Sequence, residues 1–287
     1  MIIVKLQGGL GNQMFQYALG CGLSLRHNAP LKIDSSYLRS PNQSRRSFLL
    51  DGLNVAAPEA SADEIRAYRG TLQKMLDRFR PDLKKKTVLE KSFAFDPEIL
   101  KRDDGYFDGH WQDERYFKGY EKKVRENFTL KNPFGREAEK MAARMAREPN
   151  GTSLHIRRGD YVAIKKITDR HGVLPLAYYK AACEKILENF PDARFFVSSD
   201  DILWAKEHFP KDYAVTFVSR PAIGDCEELA LMSRCRHNII ANSTMSWWGA
   251  WLNQNPRKIV IAPKKWFVDL SRKTGLLSPN FITLQTL

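Results

Sequence analysis

The sequence predicts an α/β protein built on parallel sheets, and three observations carry that prediction. From about residue 152 onward, short apolar runs alternate with helical stretches, the pattern of β-α-β units wound over both faces of a sheet. The chain opens the same way, with an apolar strand, a glycine-rich turn and a helix apolar along one face. With 287 residues, 43% of them hydrophobic and 28% charged, the chain is globular and long enough for two domains of ordinary size.

Taken in order, residues 2–6 form the first strand, followed by the turn Gln7-Gly8-Gly9-Leu10-Gly11-Asn12. Met14, Phe15, Ala18, Leu19, Gly22 and Leu23 then recur at the spacing of a buried helix face. Strand, glycine turn and helix together can cradle a phosphate on free N–H groups, or can serve the fold alone. A second strand over 31–33 ends in Asp34, as in dinucleotide folds where an acid at that place binds ribose, but Met14 stands where the third glycine of that fingerprint belongs. The spacing predicts one helix over 63–80, stopped by Pro81. The aromatic segment 105–117 reads as a strand packing its rings into the core. A charged helix over 137–147, ended by Pro149-Asn150-Gly151, is expected to bridge a first domain, 1–148, and a second, 149–287.

The second half is organised around His155-Ile156-Arg157-Arg158-Gly159-Asp160, at the end of a buried strand, where open α/β sheets place their ligands. Successive side chains of a strand point to opposite faces, so in a covered sheet one of the two arginines needs an anionic partner. A planar, permanently charged guanidinium suits a diphosphate. Equally, one arginine can pair with Asp160 and hold the loop shut. Helices are predicted over 176–189, 201–209, 225–235 and 243–253, and strands over 194–198, 215–218, 237–241 and 258–261. The strand 194–198 runs into Asp200-Asp201, a carboxylate pair of which one is expected to cap the next helix. Beyond the strand 237–241, Asn242, Ser243 and Thr244 open a helix carrying Trp247, Trp248 and Trp251, and offer hydroxyls and N–H groups suited to a phosphate.

Several classes fall away on composition. The four cysteines are scattered without a C-x-x-C, which suggests neither a disulfide scaffold nor a zinc site, and a reducing cytosol is the simplest setting. The N-terminus reads as neither a signal peptide nor a membrane span, so a soluble start is expected. A net charge of +13 raises nucleic acid, anionic membrane and phosphorylated ligands as partners. The charge is spread out, its densest cluster being Lys84-Lys85-Lys86, and stacking aromatics of an RNA-binding sheet are not evident, so no nucleic-acid partner is expected. Two rival classes remain: a nicotinamide-dependent oxidoreductase, which leaves both arginines idle, and a basic nucleic-acid-binding protein, which explains only the charge.

Four motifs stand in order: Gly8-Gly9-Leu10-Gly11-Asn12-Gln13-Met14-Phe15-Gln16-Tyr17-Ala18, the arginine motif, Ser199-Asp200-Asp201, and Asn242-Ser243-Thr244-Met245-Ser246-Trp247-Trp248-Gly249-Ala250-Trp251-Leu252. Together with Gly109-His110-Trp111-Gln112 they make the chain resemble the bacterial α-1,2-fucosyltransferases of glycosyltransferase family 11, from residue 2 to about 267. The resemblance implies a GT-B-like fold, two Rossmann-type domains with mainly parallel sheets facing across a cleft. It implies GDP-fucose as donor substrate, no separate cofactor and no metal. The donor would be held mainly by the second domain: Arg157 on the β-phosphate, His155 and Asp200 near guanine, and Asn242, Ser243 and Thr244 toward the pyrophosphate. Asn12 and Gln13 would reach it from the first, acceptor-side domain. Asp160 is the candidate base, or else orients an arginine. The acceptor would be a galactose-terminated oligosaccharide or glycolipid, the setting cytoplasmic, with peripheral contact at the inner face of an anionic membrane.

Overall fold

Helices and strands follow the predicted α/β order, and the chain divides into two compact units, residues 1–131 with 272–276, and 132–271 with 277–287. The structure, a computed structural model, describes residues 1–40, 46–272 and 274–285.

The first unit is built on β1 (Ile2–Lys5), α1 (Leu10–His27), β2 (Leu31–Asp34), α2 (Ser36–Arg39), α3 (Ala62–Arg69), α4 (Thr71–Asp77), β3 (Thr87–Leu89), β4 (Gly105–Asp108) and α5 (Glu121–Asn127). Its strands pair in parallel in the order β2-β1-β4-β3, with Val4 opposite both Ile33 and Phe107. Helix α1 is buried from Gln13 to Leu23, polar Gln13 and Gln16 included, which is wider than the single apolar face its sequence predicts. The helix expected over 63–80 is two helices. Gly70 separates them in extended geometry, capping the end of α3 and the start of α4. The aromatic segment is a strand only from Gly105 to Asp108. Beyond it Tyr116 and Phe117 sit in a 3-10 turn, and Trp111 turns back at φ +56° with its ring buried.

The second unit comprises α6 (Arg136–Ala146), β5 (Thr152–Ile156), α7 (Gly159–Ala163), α8 (Lys165–His171), α9 (Leu176–Leu187), β6 (Phe195–Ser199), α10 (Ile202–His208), β7 (Val215–Phe217), α11 (Asp225–Arg234), β8 (His237–Ile239), α12 (Thr244–Leu252), β9 (Val260–Pro263) and β10 (Ile282–Leu284). The sheet is parallel throughout, ordered β10-β9-β8-β5-β6-β7. Alternation along β6 shows how both faces are covered. Phe195 and Val197 pack with Tyr178, Tyr179 and Ile186 of α9, while Phe196 packs with Met141 and Met145 of α6 and Leu231 of α11. Each buried phenylalanine stabilises by about 2 kcal/mol. Helix α6 therefore belongs to the second unit, because the face Ala138, Met141, Ala142, Met145 is buried there; the boundary falls at Lys131 and Asn132, ahead of the helix expected to bridge. No helix among the described residues is long and apolar enough to cross a membrane.

Candidate active site

Strands β5 and β6 run side by side with His155 opposite Ser198 and Ile156 opposite Ser199, so the arginine motif and the carboxylate pair leave the sheet together at its C-terminal edge. The arginines lie just beyond the strand, in the turn into α7, rather than alternating along it. Arg157 forms an ion pair from Nη1 to Asp200 Oδ2 at 2.9 Å and donates from Nη2 to Asp160 Oδ1, and its guanidinium lies 5.2 Å from the Tyr161 ring centre. Arg158 donates its backbone N–H to Asp200 Oδ1 at 2.8 Å and its Nε to Asp201 at 3.3 Å, with its guanidinium 3.7 Å from the Trp204 ring centre. The close approach explains Gly159: a β-carbon there would stand 2.4 Å from Asp200 Oδ2. Asp201 is the helix cap of the pair, accepting from the Trp204 N–H at 3.3 Å.

Behind the arginines, His155 is buried, and its Nδ1 has no hydrogen-bond partner. Burial is the main cause that lowers its pKa to about 4, the Arg157 charge adding to it and Asp200 opposing, so the ring is neutral at pH 7. The Ser199 N–H donates to Ser219 Oγ at 2.8 Å, and Ser219 in turn hydrogen-bonds Glu228 of α11. Burial pushes the Glu228 carboxyl up to about 7, the negative charges of Asp225 and Asp200 adding to it and the Ser219 hydrogen bond opposing. Sequence spacing did not single out Glu228, since acids in a first helical turn ordinarily complement the macrodipole. A half-neutral carboxyl beside Asp200 is a property of the folded sheet edge.

Asn242 is buried past the end of β8. Its Nδ2 donates to the carbonyls of His171 at 2.7 Å and Trp266 at 3.3 Å, its backbone carbonyl accepts from the Tyr161 hydroxyl at 3.0 Å, and its Oδ1 has no partner. It thus ties α7, α8 and the 266 segment to the strand end. Ser243 is the N-cap of α12 but makes no side-chain cap bond, and Thr244 begins the helix. The first turn of α12 thus begins, without a cap bond from Ser243, at the sheet edge that carries the arginines. Trp247, Trp248 and Trp251 are buried against one another, with Trp247 and Trp248 5.0 Å apart.

In the first unit, Gly8 takes φ +80° and a β-carbon there would meet Asn12 Nδ2 at 2.4 Å, so the Asn12 side chain folds over the turn. Asn12 Oδ1 accepts from Gln112 Nε2 at 2.9 Å, and Gln16 Nε2 donates to the Gly109 carbonyl at 3.0 Å, joining the first motif to the 109–112 motif. The backbone N–H groups of His110 and Trp111 are held by the two oxygens of Glu90 at 2.7 and 2.9 Å, a clamp the sequence did not announce. Gln13 is turned inward, donating to the carbonyls of Gly8 and Ser47 and accepting from the Leu49 N–H, so its amide serves the turn. Asp34 likewise spends its carboxylate internally, on the Tyr106 hydroxyl at 2.6 Å and the Ser36 N–H at 3.0 Å, which removes the ribose-binding acid that a nicotinamide enzyme needs.

The sequence signature described as glycosyl transferase family 11 matches residues 98–280. An alpha-1,2-colitosyltransferase of Escherichia coli is 36% identical over 276 residues, covering 93% of this chain and 92% of the relative. The chain belongs to glycosyltransferase family 11. A second family relative, the E. coli O-antigen biosynthesis glycosyltransferase WbnK, is 32% identical over 302 residues, 97% of this chain and 99% of its own. The family fold is GT-B-like: the crystal structure of NodZ alpha-1,6-fucosyltransferase soaked with GDP-fucose superposes with a TM-score of 0.52 at 15% identity, over 94% of this chain and 95% of that one. The protein is therefore a glycosyltransferase with the fold expected of it.

Proposed function

We propose that this family 11 enzyme transfers L-fucose from GDP-fucose to the 2-hydroxyl of a galactoside acceptor, with inversion from the β-linked donor to an α-linked product. The observation that supports the reading is the sheet edge of the second unit. There Arg157 sits between Asp160 and Asp200, in front of a neutral His155 whose Nδ1 is unpartnered, at the edge where the first turn of α12 also opens. A departing GDP gains negative charge on its β-phosphate, and a preorganised guanidinium stabilises that charge. Arg157 takes this role, through its remaining N–H donors or by exchanging its carboxylate partners for phosphate oxygens. Ser243, Thr244 and the N–H groups of α12 face the diphosphate, with Asn242 fixing the turn that presents them. Asp200 is engaged by both arginines, so Glu228 joins it as an acceptor for the N–H edge of guanine, with His155 behind. Asn12 reaches the donor from the first unit, while Gln13 supports its turn. Asp160 either takes the acceptor proton or holds Arg157 in place.

The name of one relative brings O-antigen synthesis into this reading, and the colitosyltransferase favours a second one, with a colitosyl donor at the same site. The test is transfer from GDP-fucose and from the corresponding colitosyl donor to a β-galactoside, with the linkage of the product read by NMR. An α-linked sugar on O-2 from GDP-fucose is expected. Hydrolysis alone, a different linkage, or turnover only with the colitosyl donor would overturn the first reading.

A further inference from the structure

Helix α4 faces the wrong way for a solvent-exposed amphipathic helix. Leu72, Met75 and Leu76 fall at i, i+3 and i+4, an apolar stripe that in a globular protein faces the core, and Phe79 follows two residues past the helix end. Here their exposures are 72%, 58%, 43% and 89%. The side turned inward is polar: Asp77 is buried and accepts from Gln73 Nε2 at 2.7 Å, Arg80 Nη1 at 3.3 Å, and the backbone N–H groups of Lys86 and Thr87 at 3.1 and 3.0 Å. These bonds fix the helix with its apolar stripe outward, and Leu83 in the turn that follows is exposed too, at 48%.

We infer that this face docks on an anionic lipid bilayer. The charge around the stripe selects that occupant. Residues 71–86 carry six bases against two acids; Lys74, Arg78 and Lys84 are exposed, while Arg80, Lys85 and Lys86 pair with Asp77, Asp82 and Asp104. One acid, Asp77, is buried, and the other, Asp82, is already held by Lys85 and Lys91 at 2.7 Å each. Leucine and methionine on the outside of a short helix, with phenylalanine just past its end and exposed lysine and arginine beside them, match the chemistry of a surface that inserts shallowly below acidic headgroups. A second copy of this chain would bring the same positive charge to the contact, and a nucleic acid would leave the aliphatic stripe uncovered. The surface lies within the first unit and uses no residue assigned to the donor site.

The test is co-sedimentation of the full chain with phosphatidylcholine vesicles, plain or containing about a third phosphatidylglycerol. Binding to the acidic vesicles, weakened by salt, is expected, with little to the neutral ones. Leu72→Ser/Met75→Ser/Phe79→Ser should reduce it at least about tenfold, with the melting temperature and transfer to a soluble acceptor unchanged. Lys74→Glu/Arg78→Glu, which keeps the stripe, should reduce it comparably. No binding by the wild type, equal binding to neutral vesicles, or undiminished, wild-type binding by either variant overturns the inference. So does a wild-type dimer that the serine variant converts to monomer, which would assign the face to self-association.

Discussion

Arg157 is held by two carboxylates, one on each terminal nitrogen, so a diphosphate engages its remaining N–H donors or displaces the carboxylates. The arrangement keeps the guanidinium aimed, and gives Asp160 two tasks that one variant separates. Asp160→Asn should lower kcat by at least about a hundredfold if the carboxylate takes the acceptor proton, with the GDP dissociation constant nearly unchanged. If Asp160 only positions Arg157, GDP binding should weaken along with the rate; the pair of measurements on the purified variant decides. Glu228 allows a second residue-level test, through pH. Its folded carboxyl holds a proton up to about pH 7 and the unfolded one only to its ordinary 4.5, so ionising it costs stability above pH 7, and the cost vanishes as the pH falls through 4.5. Glu228→Gln, which mimics the protonated form, should melt higher than wild type near pH 8 and about level with it near pH 5. A difference independent of pH would show that the carboxyl is not enclosed. His155 and His237, both lowered to about 4 chiefly by burial, work in the other direction. Unfolding returns them to their ordinary 6.5, so they withdraw stability as the pH drops from there toward 4.

At the scale of elements, the strands and helices of the second unit from 176 to 263 were legible because each repeats one simple pattern, whereas the short α7, α8 and β10 were not. A covered strand reads as an unbroken apolar run such as Phe195, Phe196 and Val197, and a helix as a periodic one. The breaks were less legible. A single Gly70 costs an isolated helix only about 1 kcal/mol, so periodicity carried the prediction across it, whereas the polar anchoring of Asp77 sets α4 apart. Trp111 at φ +56° follows from the Glu90 clamp, a contact between residues 20 and 21 positions apart that no local pattern encodes. Site residues were visible as types, while their pairing was not. That Gln13 faces inward while Asn12 folds over the turn, and that Glu228 stands near Asp200, depends on tertiary register. The glycine turn yields its own test. Asn12→Ala should leave GDP affinity nearly intact and lower kcat at saturating GDP-fucose by at least about tenfold. A purely structural asparagine would instead lower the melting temperature and leave kcat per folded molecule unchanged.

The whole molecule joins two parallel-sheet units of the family 11 glycosyltransferase fold, and the proposed chemistry assigns diphosphate binding to the second. The sequence contains no Asp-x-Asp pair, and in the proposed chemistry the Arg157 guanidinium supplies the positive charge that a leaving diphosphate needs. Transfer should therefore persist in excess EDTA; loss of activity that Mn²⁺ or Mg²⁺ restores would contradict that. The central claim is that Arg157 is the diphosphate clamp. It is tested most directly by calorimetric GDP titration of Arg157→Ala, with kcat and the melting temperature measured on the same preparation and Arg157→Lys beside it. The account predicts a folded protein whose GDP affinity falls by about tenfold or more, since a charge-assisted bond to phosphate is worth roughly 1.5–3 kcal/mol, with transfer abolished and lysine restoring little. A folded Arg157→Ala enzyme with near-normal GDP affinity and turnover would contradict it and make the arginine a brace for Asp160 and Asp200.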